Sequence, residues 1–140
     1  GPFTVRGQAL VGQVQNSAWI TQANYNTFNG SILGTSRTPV GKRAVAYSLE
    51  AGYDIFSIVK PSWAKGRLDV FGRYELYDTH NQTAPTISRV ARYRQKAFTV
   101  GINYKPQPGV ILKADYQRRE NGGATANRAD YFGLSASFEF

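Results

Sequence analysis

The chain has 140 residues, carries 17 Lys and Arg against 9 Asp and Glu for a formal net charge of +8, and contains neither Cys nor Met. That length supports one domain with a sheet buried on one face. The lack of Cys excludes disulfides and thiolate metal sites, and apolar runs as short as Val110-Ile111-Leu112 exclude a helical membrane span, which takes ~20 residues. A basic composition rich in aromatics and Gly fits a membrane barrel and a nucleic-acid binder equally well.

The chain opens on Gly1-Pro2-Phe3 without an initiator Met, a basic segment or an apolar h-region, so we expect a processed or cut chain. From there, alternation of period two recurs. Phe3, Val5, Gly7, Ala9 and Val11 alternate with Thr4, Arg6, Gln8 and Leu10, which predicts a strand over 3–14. Residues 15–42 carry turn formers such as Asn16, Ser17, Asn24, Asn26, Gly34, Pro39 and Gly41 with no sustained period, so a long loop is expected. Inside it Asn29-Gly30, between Phe28 and Ile32-Leu33, has the signature of a type I′ hairpin, though an irregular loop is preferred.

Val45, Tyr47, Leu49, Ala51, Tyr53 and Ile55 alternate with small and charged residues over 43–56, and a short connection over 57–66 follows, broken by Pro61. The cleanest alternation is Leu68, Val70, Gly72, Tyr74 and Leu76 against Arg67, Asp69, Phe71, Arg73 and Glu75, giving a strand over 67–77. A second long loop over 78–94, a strand over 95–104, a tight turn over 105–109, a strand over 110–119, a loop over 120–129 and a strand over 130–140 complete the chain. In the last strand Phe132, Leu134, Ala136, Phe138 and Phe140 share one face. A chain that stops on Phe with no polar tail reads as the closing strand of an antiparallel transmembrane β-barrel, because fraying termini normally carry polar residues. Connections alternate long and short, as in outer-membrane barrels with long extracellular loops and short periplasmic turns. Setting Phe140 on the periplasmic side puts 57–66 and 105–109 among the short turns.

The two faces differ in chemistry. Phe3, Tyr47, Tyr53, Tyr74, Phe98, Tyr104, Tyr116, Phe132, Phe138 and Phe140 are expected to face lipid or form interfacial girdles. Lys96 is the main exception on that face, where a cation at the bilayer midplane costs ~2–4 kcal/mol. Arg6, Gln8, Glu50, Asp54, Arg67, Asp69, Arg73, Glu75, Lys113, Asp115, Gln117 and Arg119 fall on the other face and are expected to line a pore. Any one of them alone is more simply a solvated sheet charge, so the set carries the expectation; in a narrow, plugged barrel they would instead pair across strands. Arg37, Lys42, Arg43, Arg89, Arg92, Arg94, Arg118, Arg119 and Arg128 gather at the long-loop end. They suit either anions at a pore mouth or the phosphates of lipopolysaccharide.

Enzyme chemistry has little footing. The sole His, His80, lies beside Asp78, Thr79 and Asn81, a setting that fits a solvated loop better than the Asp-His pair of a hydrolase. There is no glycine-rich phosphate loop and no spacing of metal ligands, so neither an enzyme nor a cofactor is expected.

Four stretches carry a family likeness: Gly1 to Gln8, Leu68 to Thr79 with Phe71-Gly72-Arg73-Tyr74-Glu75 at its heart, Thr99 to Pro106, and Val110 to Gln117. Together they resemble the C-terminal strands of the phosphate-selective porin O and P family over most of the chain except the loop at 15–42. Gln8 departs from the Glu common there. The resemblance implies the C-terminal six-strand portion of a larger barrel of about sixteen strands, since six are too few to close one. It also implies an outer-membrane location in a Gram-negative bacterium and passive diffusion of small anionic, phosphate-like solutes. Expected partners are outer-membrane lipid and lipopolysaccharide, those solutes, and either a homotrimer or a partner protein, with no nucleic acid. The family's anion-selecting residues lie on an inward-folded loop and on earlier strands, so none transfers to this chain. Two other readings stay open: a barrel that sheaths or docks a partner without conducting, and a soluble basic β-domain binding nucleic acid or glycan.

Overall fold

A computed structural model describes residues 1–29, 39–62, 65–123 and 128–138. Six antiparallel strands form one sheet in chain order: β1 (Phe3–Gln13), β2 (Arg43–Asp54), β3 (Arg67–Gln82), β4 (Arg94–Lys105), β5 (Val110–Asn121) and β6 (Arg128–Phe138). The outer edges of β1 and β6 have no strand partner among the described residues. The described helices are not long and apolar enough to cross a membrane, which says nothing of crossing by strands.

Register keeps the two chemistries apart across the whole sheet. The pairs Val5 with Ala51, Leu49 with Tyr74, Tyr74 with Phe98, Val100 with Tyr116, and Tyr116 with Phe132 are directly opposed, so the apolar positions form one continuous surface. A slip of one residue in any pair would send that strand's apolar set through to the polar side.

Burial runs opposite to hydropathy. In β4, Ala97 and Thr99 are 5% and 0% exposed while Phe98 and Val100 between them are 51% and 39% exposed. Leu49 in β2 and Leu134 in β6 are 58% and 74% exposed. A water-soluble sheet buries its apolar face because each Å² removed from water stabilises the fold; this one leaves that face open and, in the inner strands β3 and β4, buries polar-face positions such as Asp69 and Thr99.

The short connections are set by local chemistry. Asp54 Oδ1 accepts from Phe56 N at 3.1 Å and Leu68 N at 3.3 Å, so one carboxylate starts the single helical turn α2 (Phe56–Val59) and ties it to β3. Gly66 has φ +89° and packs so tightly on β4 that a methyl group there would lie 1.9 Å from the Lys105 carbonyl oxygen; only Gly fits. The β4–β5 turn closes on Gly109 at φ 78°, beside Pro106 and Pro108, which cannot extend a ladder.

Three expectations need correction. Residues 15–42 are not an irregular loop throughout, because helix α1 spans Ser17–Asn29. Its Asn- and Thr-rich sequence is a poor helix former, and tertiary contacts stabilise it: Thr21 donates to the Ser17 carbonyl at 2.8 Å and accepts from Val40 N at 2.9 Å. The hairpin at Asn29-Gly30 is not formed on its N-terminal side, where Phe28 belongs to α1; its remainder lies outside the described residues. Strand β3 continues past Tyr77 to Gln82, with Asp78 opposite Arg94 and Gln82 opposite Arg43, and a bulge interrupts its pairing with β2. Polar residues there read as a turn, yet their partners come from elsewhere in the chain. Phe140, the expected terminal girdle residue, lies outside the described residues.

Candidate functional site: the polar face

Strand alternation places all twelve of the expected polar-face residues on one side, in rows that run across the strands. One row reads Arg6, Glu50, Arg73, Thr99, Gln117, Tyr131 from β1 to β6. Glu50 lies 3.5 Å from Arg6 and 3.9 Å from Arg73, and Arg73 Nε lies 3.4 Å from Glu75. Arg73 Nε has no hydrogen-bond partner among the described residues, so charge rather than directed bonding holds it there. Gln117 continues the chain, donating to Thr99 Oγ1 at 3.0 Å and to Glu75 at 3.5 Å while accepting from Arg119 Nε at 2.6 Å. Arg119 also stacks 5.0 Å above the Tyr131 ring.

The neighbouring row is built on glycine: Gly52, Phe71, Gly101, Asp115, Gly133. Phe71, a large apolar ring on this side, is buried, because Gly52 and Gly101 on its two flanks leave space against the sheet. Lys113 Nζ sits 5.1 Å above the ring and 3.5 Å from Asp115. Nearer the short turns, Asp69 pairs with Arg67 at 2.6 Å and Lys105 at 3.4 Å, and Arg67 reaches Thr4 at 3.3 Å. Arg6, Glu50, Asp69, Phe71, Arg73, Lys105 and Lys113 contribute to the wall of a concavity of about 320 Å³.

Not every expected residue plays the same part. Asp54 shares the face by register, opposite Asp69, but its carboxylate is occupied by the backbone of the α2 turn. Gln8 lies in line with Ser48 and Glu75 without a hydrogen bond of its own among the described residues. Two residues were missed. Lys105 was read as part of the turn, although its spacing of two from Asn103 signals the same face, and Thr99 was not among the expected pore-lining residues although it is the most deeply buried side chain of the network. The expected aromatic set Phe3, Tyr47, Tyr53, Tyr74, Phe98, Tyr104, Tyr116, Phe132 and Phe138 shares the opposite, apolar face.

His80 is a further correction. It is 3% exposed rather than solvated: Nε2 lies 2.8 Å from the Pro39 carbonyl oxygen, Val90 N donates to Nδ1 at 3.4 Å, and the ring packs 4.5 Å from Tyr93. Asp78, 2% exposed, accepts from His80 N at 2.9 Å and from the Arg89 guanidinium. With both imidazole nitrogens engaged by backbone groups, the cluster fastens chain segments together and presents no nucleophile. No group of three or more candidate metal ligands occurs among the described residues.

What the polar face can do follows from its parts. It offers closely spaced charges of both signs, held by pairing and stacking, on a wall that also carries Gly, Ser, Thr and Asn and the rings of Phe71 and Tyr131. Charges of both signs at this spacing stabilise ions of either sign near the surface.

Comparison with known proteins agrees with this geometry. The model of the family described as phosphate-selective porin O and P matches residues 13–140. An uncharacterized protein of Aquifex aeolicus (strain VF5) is 37% identical over 79 residues, covering 56% of this chain and 17% of that protein, so the chain matches well under two thirds of that relative's length. No solved structure matches.

Proposed function

We propose, since the chain belongs to the phosphate-selective porin O and P family, that its sheet is one arc of a larger outer-membrane β-barrel of a Gram-negative bacterium and that small solutes diffuse passively along the polar face. The observation that carries the reading is the inverted burial in the middle of the sheet: Leu49, Val70, Phe98 and Val100 stand exposed on the apolar face, while Asp69 and Thr99 on the polar face are buried. In water, so large an apolar surface would be an aggregation hazard; in a bilayer it is the surface that hydrocarbon requires. The two unpaired edges support the larger barrel, because an open sheet edge in lipid leaves backbone groups unsatisfied at several kcal/mol each.

The family points to a transport channel rather than an enzyme. The preferred solutes on this reading are small anions of the phosphate type. On the polar face the cations Arg6, Arg67, Arg73, Lys105, Lys113 and Arg119 outnumber Glu50, Asp54, Asp69, Glu75 and Asp115 by one, and Asp69 is shared by two of the cations. The excess is small, so this arc contributes a polar wall with a slight anionic preference. The test is planar-bilayer recording on the full-length protein. Discrete current steps with an anion-biased reversal potential support the porin; a heat-modifiable barrel that stays silent supports a sheath around a partner.

A further inference from the structure

We propose that the long-loop edge of the apolar face binds the phosphates of an outer-leaflet lipid of the lipid A type, a phosphorylated and multiply acylated glycolipid. The proposal rests on the barrel reading above and adds a site to its outer wall.

The register sorts the basic residues of the long-loop end, which the sequence leaves as one group. Arg119 turns to the polar face, whereas Arg94, Lys96, Arg118 and Arg128 belong to the apolar one. They gather at one edge of it. At the short-turn edge the same face shows Phe3, Tyr53, Leu68, Tyr104 and Leu112 and no charge. A lipid-facing surface that is neutral at one rim and cationic at the other matches a bilayer whose two leaflets differ in headgroup charge. Cations are tolerated on a barrel's outer surface only near an interface, where their desolvation cost falls away.

The cationic rim is organised. Glu120 stands opposite Lys96 on one side and Arg128 on the other, with Arg118 two residues earlier on its own strand. Its carboxylate lies 3.6 Å from Arg118 Nε and 3.1 Å from Arg128 Nε. One acid thus sets two guanidinium groups side by side, each meeting it through Nε, and a guanidinium fork suits phosphate oxygens. Asp130, opposite Arg118, and Asp78, opposite Arg94, trim the charge; the four cations exceed the three acids Asp78, Glu120 and Asp130 by one, and Asp78 is already paired with Arg89. Phe98 stands level with Arg118, and toward the membrane middle lie the exposed side chains of Val100, Tyr116, Phe132 and Leu134, a surface for acyl chains. Phosphate contacts above and hydrocarbon below describe an amphiphile; a free phosphate ion would use only the first.

The experiment titrates the full-length protein, purified in mild detergent, with diphosphoryl lipid A and compares it with the Lys96→Gln, Arg118→Gln, Arg128→Gln triple variant and with Arg119→Gln on the opposite face. The triple variant is expected to bind at least about tenfold more weakly, given the contribution of each cation near an anionic lipid surface, while Arg119→Gln binds like the parent. Millimolar inorganic phosphate leaves the parent's lipid A in place. Unchanged affinity in the triple variant overturns the proposal, and so does displacement of lipid A by inorganic phosphate. Heat-modifiable migration and channel currents on the same preparations separate the failures. If both are present while the triple variant keeps its lipid, the rim assignment alone falls; if both are missing, the barrel reading and the rim fall together.

Discussion

Gly101 lies directly beneath the ring of Phe71: a methyl group at Gly101 would come within 2.8 Å of Phe71 Cε1. The ring reaches over this position because it has no side chain, and a methyl group there would also meet the Ala114 carbonyl oxygen at 2.6 Å. Gly101→Ala is therefore expected to destabilise the fold by ~1–3 kcal/mol through overpacking. Phe71→Ala alone loses a buried ring, at ~3–5 kcal/mol. The double variant should cost less than the sum, with a coupling of ~0.5–3 kcal/mol. Urea unfolding midpoints in detergent measure all three; strict additivity means that the two residues do not meet.

The two faces of the sheet predict opposite responses to one substitution. Val100 sits mid-strand on the apolar face, so Val100→Arg is expected to cost ~2–4 kcal/mol in a bilayer. Gln8 is on the polar face and exposed, so Gln8→Arg should stay within about 0.5 kcal/mol. Folding yield into lipid vesicles, read from heat-modifiable migration, compares them. Equal yields would mean that hydrocarbon does not bathe the Val100 side.

Glu50 holds Arg6 and Arg73 together. Glu50→Gln removes the acid and leaves both cations, so the reversal potential in a salt gradient should move toward greater anion preference. Arg73→Gln should move it the other way. Movement of both variants in the same direction would indicate a change of structure rather than of lumen charge.

The His80 cluster joins β3 to the segment near Pro39 and to the 84–94 connection. His80→Ala removes both contacts and the packing on Tyr93, a loss of ~1–3 kcal/mol confined to that end of the sheet. Limited proteolysis should cut the 84–94 connection markedly faster, whereas the unfolding midpoint of the sheet barely changes. A proteolysis rate like the parent's would show that other contacts suffice to hold the connection.

Much of the fold was legible because strand geometry leaves a mark of period two. Phe98 and Val100 against Ala97 and Thr99 announce two faces wherever a strand forms, and the six strands follow that pattern. The candidate site was legible to the same depth. Arg6, Glu50, Arg73 and Gln117 could be assigned to one face, but not to one row, since the row depends on how far each strand is shifted against its neighbour. Helix α1 escaped because its Asn and Thr residues read as turn formers, and the contact that steadies it, Thr21 with Val40, joins residues on opposite sides of an intervening stretch. His80 escaped for a related reason: a polar residue among polar neighbours looks solvated until Pro39 and Val90 are brought to its ring.

The sequence by itself determined the antiparallel sheet, the split between an apolar and a polar face, and the family, since alternation and short motifs are properties of neighbouring residues. Only the tertiary structure decided which side is sheltered and which stands open. It also decided that Phe71 lies down over Gly101, that Asp54 serves a turn, and that Arg118 and Arg119, adjacent in the chain, point to different surroundings. Those outcomes depend on strand register, and no local pattern encodes how residues far apart in the chain, such as Arg6 and Tyr131, come to share a row.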